Sequence, residues 1–223
     1  MTEPASHRHA LPLEPLAVLG RVAGIGSALI GIRAGGALLE GIGTVERVSE
    51  EAGDIVLRGP GRETRIAVAA IAEIVADQMA MATIMPFIEI FDADGNALAK
   101  ITALDGLERF DAALEGIVRT PLDAAPPAPR PAPGENEPAD GPLKAAEAAG
   151  KPVTLAARKP GVLHTWTGAI SGVSFGRGFL NVIQPDMHLH VRAGAIADWR
   201  ESPEGTFSAL DADGAAIGLT LTV

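Results

Sequence analysis

Residues 178–199 read GFLNVIQPDMHLHVRAGAIADW, and the pattern of this stretch recurs 125 positions earlier in residues 53–74, GDIVLRGPGRETRIAVAAIAEI. The motif Leu210-Asp211-Ala212-Asp213-Gly214 likewise matches Phe91-Asp92-Ala93-Asp94-Gly95, with the offset shortened by six residues. Solenoid repeats recur at about 20 to 50 residues, so this period is too long for a solenoid. It predicts two copies of a small domain, with function where the copies meet or in features that one copy alone carries.

The repeat and the local composition divide the chain into four predicted segments. Residues 1–12 are polar and are expected to be a disordered N-terminus. Residues 13–120 form the first half and residues 143–223 the second. Between them, residues 121–142 contain eight prolines, which predicts an extended linker without helix or sheet.

Composition and charge exclude several classes of function. The chain has 223 residues, of which 47% are hydrophobic, so it can fill a globular core. It has no Cys and no Tyr, which excludes disulfides, thiolate catalysis, Cys-type zinc sites, iron–sulfur clusters and phenolate ligands. A formal net charge of −10 argues against nucleic acid as a partner.

The most apolar stretch, residues 22–32, is bracketed by Arg21 and Arg33. It is too short to cross a bilayer, which takes about 20 apolar residues. Glu14 and Arg21 also interrupt the run that a signal peptide requires. We therefore expect a cytoplasmic protein that does not insert into membranes.

Hydrophobic patterning and turn residues predict an α+β fold dominated by strands in antiparallel sheets. A helix is expected at Leu107–Val118, and a second at Leu143–Ala149 that ends at Gly150. Residues 64–75 are compatible with either strand or helix. The predicted strands are Gly43–Val48, Asp54–Arg58, Phe87–Phe91, Ala97–Thr102, Val153–Ala157, Val162–Thr167, Phe179–Ile183, His188–Val191, Phe207–Leu210 and Ile217–Val223.

Three histidines of the second half are candidate site residues. His188 and His190 are two apart on a predicted strand, so both rings should emerge on one face. There they could ligate a metal or contact a planar cofactor, or they could be half-buried residues satisfied by their neighbours. Two histidines without a third ligand make a poor metal site. His164, on a preceding strand, is expected near the pair. No Ser-His-Asp arrangement, P-loop or HExxH motif is present, so no catalytic residue is assigned.

Residues 178–192, GFLNVIQPDMHLHVR, resemble the "WLNVLDPxFNLHLRED" stretch of bacterial haem-utilisation proteins, the HemS/ChuX-like family. The flanking sequence is similar to the same family at residues 145–153, 161–168 and 195–199. In the first half, four stretches are similar to the corresponding stretches of the family's first half: residues 33–43, 63–66, 91–95 and 100–101. The resemblance covers most of residues 15–120 and 143–223.

The resemblance implies a pseudo-duplication of two similar halves, with large antiparallel β-sheets and flanking helices. It also implies a haem cofactor with an axial His and with cationic residues near the propionates. Motif matching gives Arg65, Lys100 and Arg192 as those cations. The family's axial His lies in the connecting segment, whereas residues 121–142 contain no histidine. His188, His190 and His164 are therefore the candidate ligands, with His190 or His188 as the ligand of haem iron.

The implied function is cytoplasmic binding, trafficking or utilisation of haem in iron acquisition, without catalysis. Iron-uptake proteins or haem-accepting proteins are the implied partners. The linker is long enough to allow the halves to pair within one chain or between the chains of a homodimer. Two alternatives stay open: a haem-free interaction or regulatory scaffold that keeps the fold, and a weak haem-degrading enzyme that uses an external reductant.

Overall fold

A computed structural model describes residues 6–125 and 136–223 of the chain. The strands, in chain order, are β1 (His9–Ala10), β2 (Ser27–Ala34), β3 (Ala37–Thr44), β4 (Arg47–Glu51), β5 (Asp54–Gly59), β6 (Arg62–Ala67), β7 (Glu73–Ala80), β8 (Ile84–Phe91), β9 (Ala97–Ala103), β10 (Thr120–Pro121), β11 (Pro152–Lys159), β12 (Val162–Ala169), β13 (Val173–Gly176), β14 (Phe179–Gln184), β15 (Met187–Arg192), β16 (Asp198–Glu201), β17 (Thr206–Leu210) and β18 (Ala216–Thr222). The α-helices are α1 (Pro15–Leu19), α2 (Leu107–Ala113) and α3 (Gly141–Ala149), and 3₁₀ turns cover Gly20–Gly24 and Val68–Ala70. The strands form two large antiparallel sheets, which confirms the predicted fold class.

The described residues separate into two compact units that interleave along the sequence. Unit 1 contains residues 6–30, 43–60 and 65–125, and unit 2 contains residues 31–42, 61–64 and 136–223. The predicted halves, 13–120 and 143–223, are defined by the repeat and stay a prediction. Of the predicted linker 121–142, residues 126–135 lie outside the described part of the chain.

Unit 1 is built on the antiparallel series β1, β7, β8 and β9, with the β4–β5 hairpin as a further element. Isoleucines at alternating positions of these strands are fully buried, including Ile74, Ile88 and Ile90. Phe110 of α2 and Leu114 beyond its end are buried as well. The period of two along the strands and the apolar face of α2 therefore supply the core of this unit.

Unit 2 contains two antiparallel series, β3–β15–β14–β13 and β16–β17–β18–β11–β12. Trp166 of β12 is almost fully buried, and its indole Nε1–H donates to Asp186 Oδ2 at 3.0 Å. Leu155, Leu189 and Val191 are also buried. Large apolar side chains on one face of each strand thus form the core of unit 2.

Turns at repeat-related positions have the same conformation. Asp92 Oδ1 accepts from the backbone N–H groups of Asp94 and Asn96, and Asp211 Oδ1 accepts from those of Asp213 and Ala215. These carboxylates satisfy the backbone donors of a tight turn, which explains the recurrent Asp-Ala-Asp-Gly sequence. The turn at residues 92–96 joins β8 to β9, close to the predicted strands Phe87–Phe91 and Ala97–Thr102.

The structure differs from the sequence prediction at the end of α2 and at the N-terminus, and it decides the residues that the sequence left ambiguous. The predicted strand Gly43–Val48 is also wrong, because it spans the end of β3, two residues outside any strand and the start of β4. Helix α2 ends at Ala113 and not at Val118, because Gly116 takes a φ of 80° that no α-helix continues through. The ambiguous residues 64–75 lie in β6, a 3₁₀ turn and β7. His9–Ala10 is a strand, although residues 1–12 were expected to fray, because buried Leu11 and its N–H bond to the Ile74 carbonyl anchor the segment. Residues 1–5 lie outside the described range.

Helix α3 ends as predicted, with Gly150 in the left-handed conformation at φ 60°. Its N–H donates to the carbonyls of Ala146 and Glu147. A Gly150→Ala substitution is expected to lower the free energy of unfolding by about 1 kcal/mol, because a Cβ is disfavoured at positive φ. Urea denaturation would measure the change. Gly141→Ala, at the other end of the same helix with open space around the added Cβ, is the control. Equal stability of the Gly150→Ala variant and the parent would contradict the assignment.

Candidate functional site

Three neighbouring strands of unit 2 place two of the candidate histidines, His188 and His190, in two successive rows of side chains on one face. In register, His188 of β15 lies opposite Glu40 of β3 and Ile183 of β14. His190 lies opposite Leu38 and Asn181 in the same way. Directly opposed residues of antiparallel strands project on the same face of the sheet. The polar side chains of the three strands therefore meet on one face.

The alternation along β15 decides which face carries the histidines. Met187, Leu189 and Val191 are buried, whereas His188 and His190 are half-buried. Their ring centroids are 5.8 Å apart, with the rings nearly perpendicular. The expectation that both rings emerge on one face is confirmed.

Hydrogen bonds fix the orientation and the tautomer of His190. The Asn181 amide Nδ2 donates to the Phe179 carbonyl at 3.0 Å, which orients Oδ1 toward the ring. His190 Nδ1 lies 2.7 Å from that Oδ1. Because an amide oxygen only accepts, Nδ1 carries the proton, and Nε2 of the neutral ring keeps its lone pair. Burial lowers the pKa of His190, and neighbouring His188 and Arg33 act in the same direction, so the neutral ring is favoured.

Glu40 offers a third potential ligand atom beside the two rings. Its Oε2 lies 3.6 Å from His188 Nδ1 and 3.8 Å from His190 Nε2. Sequence reasoning missed this residue because it is remote along the chain and only the β3–β15 register brings it close. In β3, Ala37 and Leu39 are buried and Leu38 and Glu40 are half-buried. This alternation is visible in the structure and not in the residue types, so the sequence carried no signal for Glu40.

A cleft of about 660 Å³ opens beside His190 within unit 2. Its apolar walls include Leu38, Phe175, Phe179 and Ile183. Arg33 and Arg177 also line this cleft. Within residues 6–125 and 136–223, neither guanidinium forms an ion pair with a carboxylate. The cleft therefore suits a ligand with a large apolar body and anionic groups, and it offers an imidazole to a metal.

Arg177 occupies an unusual backbone position. It forms, with Gly178, the two-residue turn between β13 and β14, and both residues have positive φ, 55° and 79°. Two-residue hairpin turns of this type favour Asn-Gly or Gly-Gly, and a bulky side chain at positive φ is uncommon. The repeat-related turn of unit 1 is Ala52-Gly53, with φ 52° and 86°. Unit 2 thus carries a charged side chain at a position where unit 1 carries a methyl group.

His164 does not lie with the His188–His190 pair. It is fully buried on β12, where Val162, His164 and Trp166 alternate inward. Its Nδ1 is 2.8 Å from Thr64 Oγ1, and Nε2 has no hydrogen-bond partner among the described residues. Burial, together with the nearby charge of Arg62, lowers its pKa to about 3. An inward position in the core keeps this ring out of the cleft.

The three cations taken from motif matching lie in different places. Arg65 belongs to unit 1, with its guanidinium 3.8 Å from Glu51 Oε2 and 3.9 Å from Asp54 Oδ2. Lys100, also in unit 1, has its Nζ 3.4 Å from the centroid of the Phe87 ring, a cation–π contact. Only Arg192 belongs to unit 2, where it lines a hollow of about 260 Å³ that Arg33 and Phe179 also line. Sequence reasoning missed Arg33 and Arg177.

No helix within the described part of the chain is both long enough and apolar enough to traverse a bilayer.

No family model matches the chain, and no curated protein matches it. Solved structures do. Holo-PhuS, a heme-binding protein from Pseudomonas aeruginosa, is similar with a TM-score of 0.76 and 17% identity, over 96% of this chain and 81% of that one. ChuS, an E. coli heme oxygenase, is similar with a TM-score of 0.76 and 16% identity, over 97% of this chain and 83% of that one. The chain therefore has the two-half fold of the HemS/ChuX-like haem-utilisation proteins.

Proposed function

We propose that the protein binds haem in the cleft of unit 2 and serves as a haem carrier in iron utilisation. The observation that carries the proposal is the half-buried imidazole of His190 at an apolar cleft lined by two arginines. Two proteins of the same fold are named as a heme-binding protein and a heme oxygenase. At 16–17% identity their names support the proposal only through the fold.

The residues of the cleft fit the three chemical parts of haem. A neutral imidazole nitrogen is a common axial ligand of haem iron, and His190 Nε2 offers a lone pair. Aromatic and aliphatic side chains, among them Phe175 and Phe179, would cover the apolar macrocycle. Arg33 and Arg177 would pair with the propionates. His188 stays the alternative ligand on the same face.

The carrier role is the one that the resemblance to haem-utilisation proteins implies, and it belongs to the proposal. Bound haem supplies the iron centre, and the residues of this chain hold and orient it. The cytoplasm as location, and iron-uptake or haem-accepting proteins as partners, belong to the same proposal. A homodimer is compatible with it but is not required, because the proposed ligand, walls and cations all come from unit 2.

The test is a titration of the purified full chain with haemin, followed by absorbance in the Soret region. The proposal expects a saturable, shifted Soret band at one haem per chain. Absence of a specific band would contradict it and favour the haem-free scaffold. Adding ascorbate to the complex separates the remaining alternatives, since a carrier keeps its Soret band and a haem-degrading enzyme loses it.

Arg177 gives a prediction that separates binding from folding. Arg177→Gly is expected to lower haemin affinity about fivefold, because an exposed ion pair contributes about 1 kcal/mol at most. Stability should change by less than about 1 kcal/mol, since relief at positive φ is offset by the greater freedom of glycine in the unfolded chain. Haemin titration and urea denaturation provide the two values.

Ala52→Gly is the matched control for Arg177→Gly. It makes the same backbone change in the equivalent turn of unit 1 without removing a charge. Haemin affinity should not respond to it. Equal affinities of the Arg177→Gly variant and the parent would exclude Arg177 from the haem site.

A further inference from the structure

Three potential ligand atoms converge on one face of unit 2, from two strands that are distant in sequence. They are Glu40 Oε2, His188 Nδ1 and His190 Nε2, and all lie within 4.8 Å of one another. The two nitrogens are 3.6 and 3.8 Å from the carboxylate oxygen. The third ligand that the His-x-His spacing lacked is therefore present.

These separations are close to those of a coordinated metal. Zinc binds His nitrogen and carboxylate oxygen at about 2.0 to 2.2 Å, so two ligands at a tetrahedral angle are about 3.4 Å apart. The observed distances of 3.6 and 3.8 Å exceed this value by a few tenths of an ångström. Small side-chain rotations would bring all three atoms into coordination range.

The surroundings of His190 have the arrangement that metal sites use. A metal-ligating His usually donates its second ring N–H to a carbonyl or carboxylate, which fixes the tautomer and directs the lone pair at the metal. His190 Nδ1–H donates to Asn181 Oδ1 at 2.7 Å, and Asn181 is itself held by the Phe179 carbonyl. The lone pair on Nε2 of the neutral ring then lies 3.8 Å from an anionic oxygen of Glu40, so a cation placed between these two acceptors would be coordinated by both.

We propose that Glu40, His188 and His190 bind a first-row divalent transition-metal ion when haem is absent. Two imidazoles and one carboxylate are a ligand set used for zinc and for non-haem iron, and they leave coordination positions open. His190 also lines the cleft, so a metal held here lies beside it. Because His190 Nε2 cannot ligate two metals at once, this ion and a His190-bound haem exclude each other.

The alternative occupant of the space between these residues is a proton. A protonated His188 would form an ordinary ion pair with Glu40, and no metal would bind. The two cases differ in whether the protein takes up zinc.

The experiment is calorimetric titration of the haem-free, chelator-treated full chain with ZnCl₂. We expect one zinc per chain in the parent. Glu40→Gln and His188→Ala should each weaken binding at least about 100-fold, and Asn181→Ala about 10- to 100-fold through loss of the tautomer-fixing hydrogen bond. The His7→Ala/His9→Ala double variant, which removes the N-terminal imidazoles, should bind as the parent does.

Circular dichroism of each variant shows whether weaker zinc binding results from loss of folding. A zinc-dependent rise in the melting temperature of the parent shows that zinc binds the folded protein. No zinc binding by the parent would overturn the proposal. Binding that survives Glu40→Gln and His188→Ala, or that is lost only with His7 and His9, would also overturn it. The zinc titration contains no haem, so none of these results tests the haem proposal. The haemin titration tests that proposal separately.

Discussion

Lowering the pH from 7 to 5 is expected to reduce the free energy of unfolding by about 2 kcal/mol through His164 alone, with a slope that approaches about 1.4 kcal/mol per pH unit below pH 6. This ring is fully buried on β12, and burial, with the charge of Arg62 in addition, lowers its pKa from 6.5 to about 3. A charged imidazole in this position would have neither water nor an anionic partner among the described residues.

The sign follows from proton uptake in the two states. Well above pH 6.5 the ring is neutral both in the folded protein and in the unfolded chain, so His164 causes no pH dependence there. Between pH 6.5 and about 3 the unfolded chain binds a proton at His164 that the folded protein does not bind. Stability therefore falls as the pH falls through this window. The lowered pKa of His190 acts in the same direction.

Urea denaturation at pH 7, 6 and 5 measures the effect above the range where most carboxylates titrate. His164→Gln should remove most of the slope, whereas His190→Gln should remove a smaller part. NMR titration of the parent provides a second measurement that needs no variant, since the His164 ring signals should not shift down to pH 4. A ring that titrates near pH 6.5 would contradict the buried neutral state.

Replacing His190 by Ala is expected to weaken haemin binding about 100-fold, corresponding to about 2.8 kcal/mol, and to remove the shifted Soret band. The substitution removes the ring whose Nε2 lone pair is fixed by the Nδ1–H bond to Asn181. The truncated side chain leaves space and no new buried charge, so the fold should persist.

His188→Ala is the matched control, because His188 lies on the same strand and face but does not line the cleft. Its haemin affinity should stay within a few-fold of the parent. The double variant should behave as His190→Ala does. A normal band in His190→Ala together with a lost band in His188→Ala would transfer the ligand role to His188, and an unchanged band in the double variant would exclude both.

The sequence predicted those parts of the fold that depend on local patterns. Alternation of apolar residues located most strands of unit 2, and it correctly set both rings of His188 and His190 on one face. Turn chemistry located the end of α3 at Gly150. These features depend on residues within a few positions of one another, which is the information that a single sequence carries.

The candidate site could be predicted only in part, because it depends on strand register. Glu40 and Arg33 reach the histidines through the antiparallel pairing of β3 with β15 and the packing of their neighbours, which no local pattern specifies. Arg177 was missed because a charged residue in a tight turn is ordinarily a solvated one. His164 shares the alternation of its strand with Trp166, but sequence alone did not decide which face is inward.

Motif matching gave the right fold, and its assignment of Arg65, Lys100 and Arg192 to the haem propionates stays a prediction. Arg65 and Lys100 lie in stretches that match the family, and both belong to unit 1. Arg65 contacts Glu51 and Asp54, and Lys100 contacts Phe87. Arg33 and Arg177 line the cleft. Arg33 begins the matching stretch 33–43 but was not assigned as a cation, and Arg177 lies outside the matching stretches. Propionate binding requires a charge at the correct distance, which motif matching does not supply.

Chemical rescue tests the central claim, haem ligation by His190, most directly. The His190→Gly variant would be titrated with haemin in the absence and in the presence of added imidazole, with the Soret and visible bands recorded. We expect the shifted band to be absent without imidazole and to return when imidazole fills the space that the ring leaves. A parent-like spectrum of His190→Gly without imidazole would contradict the account, because haem would then be held by another ligand.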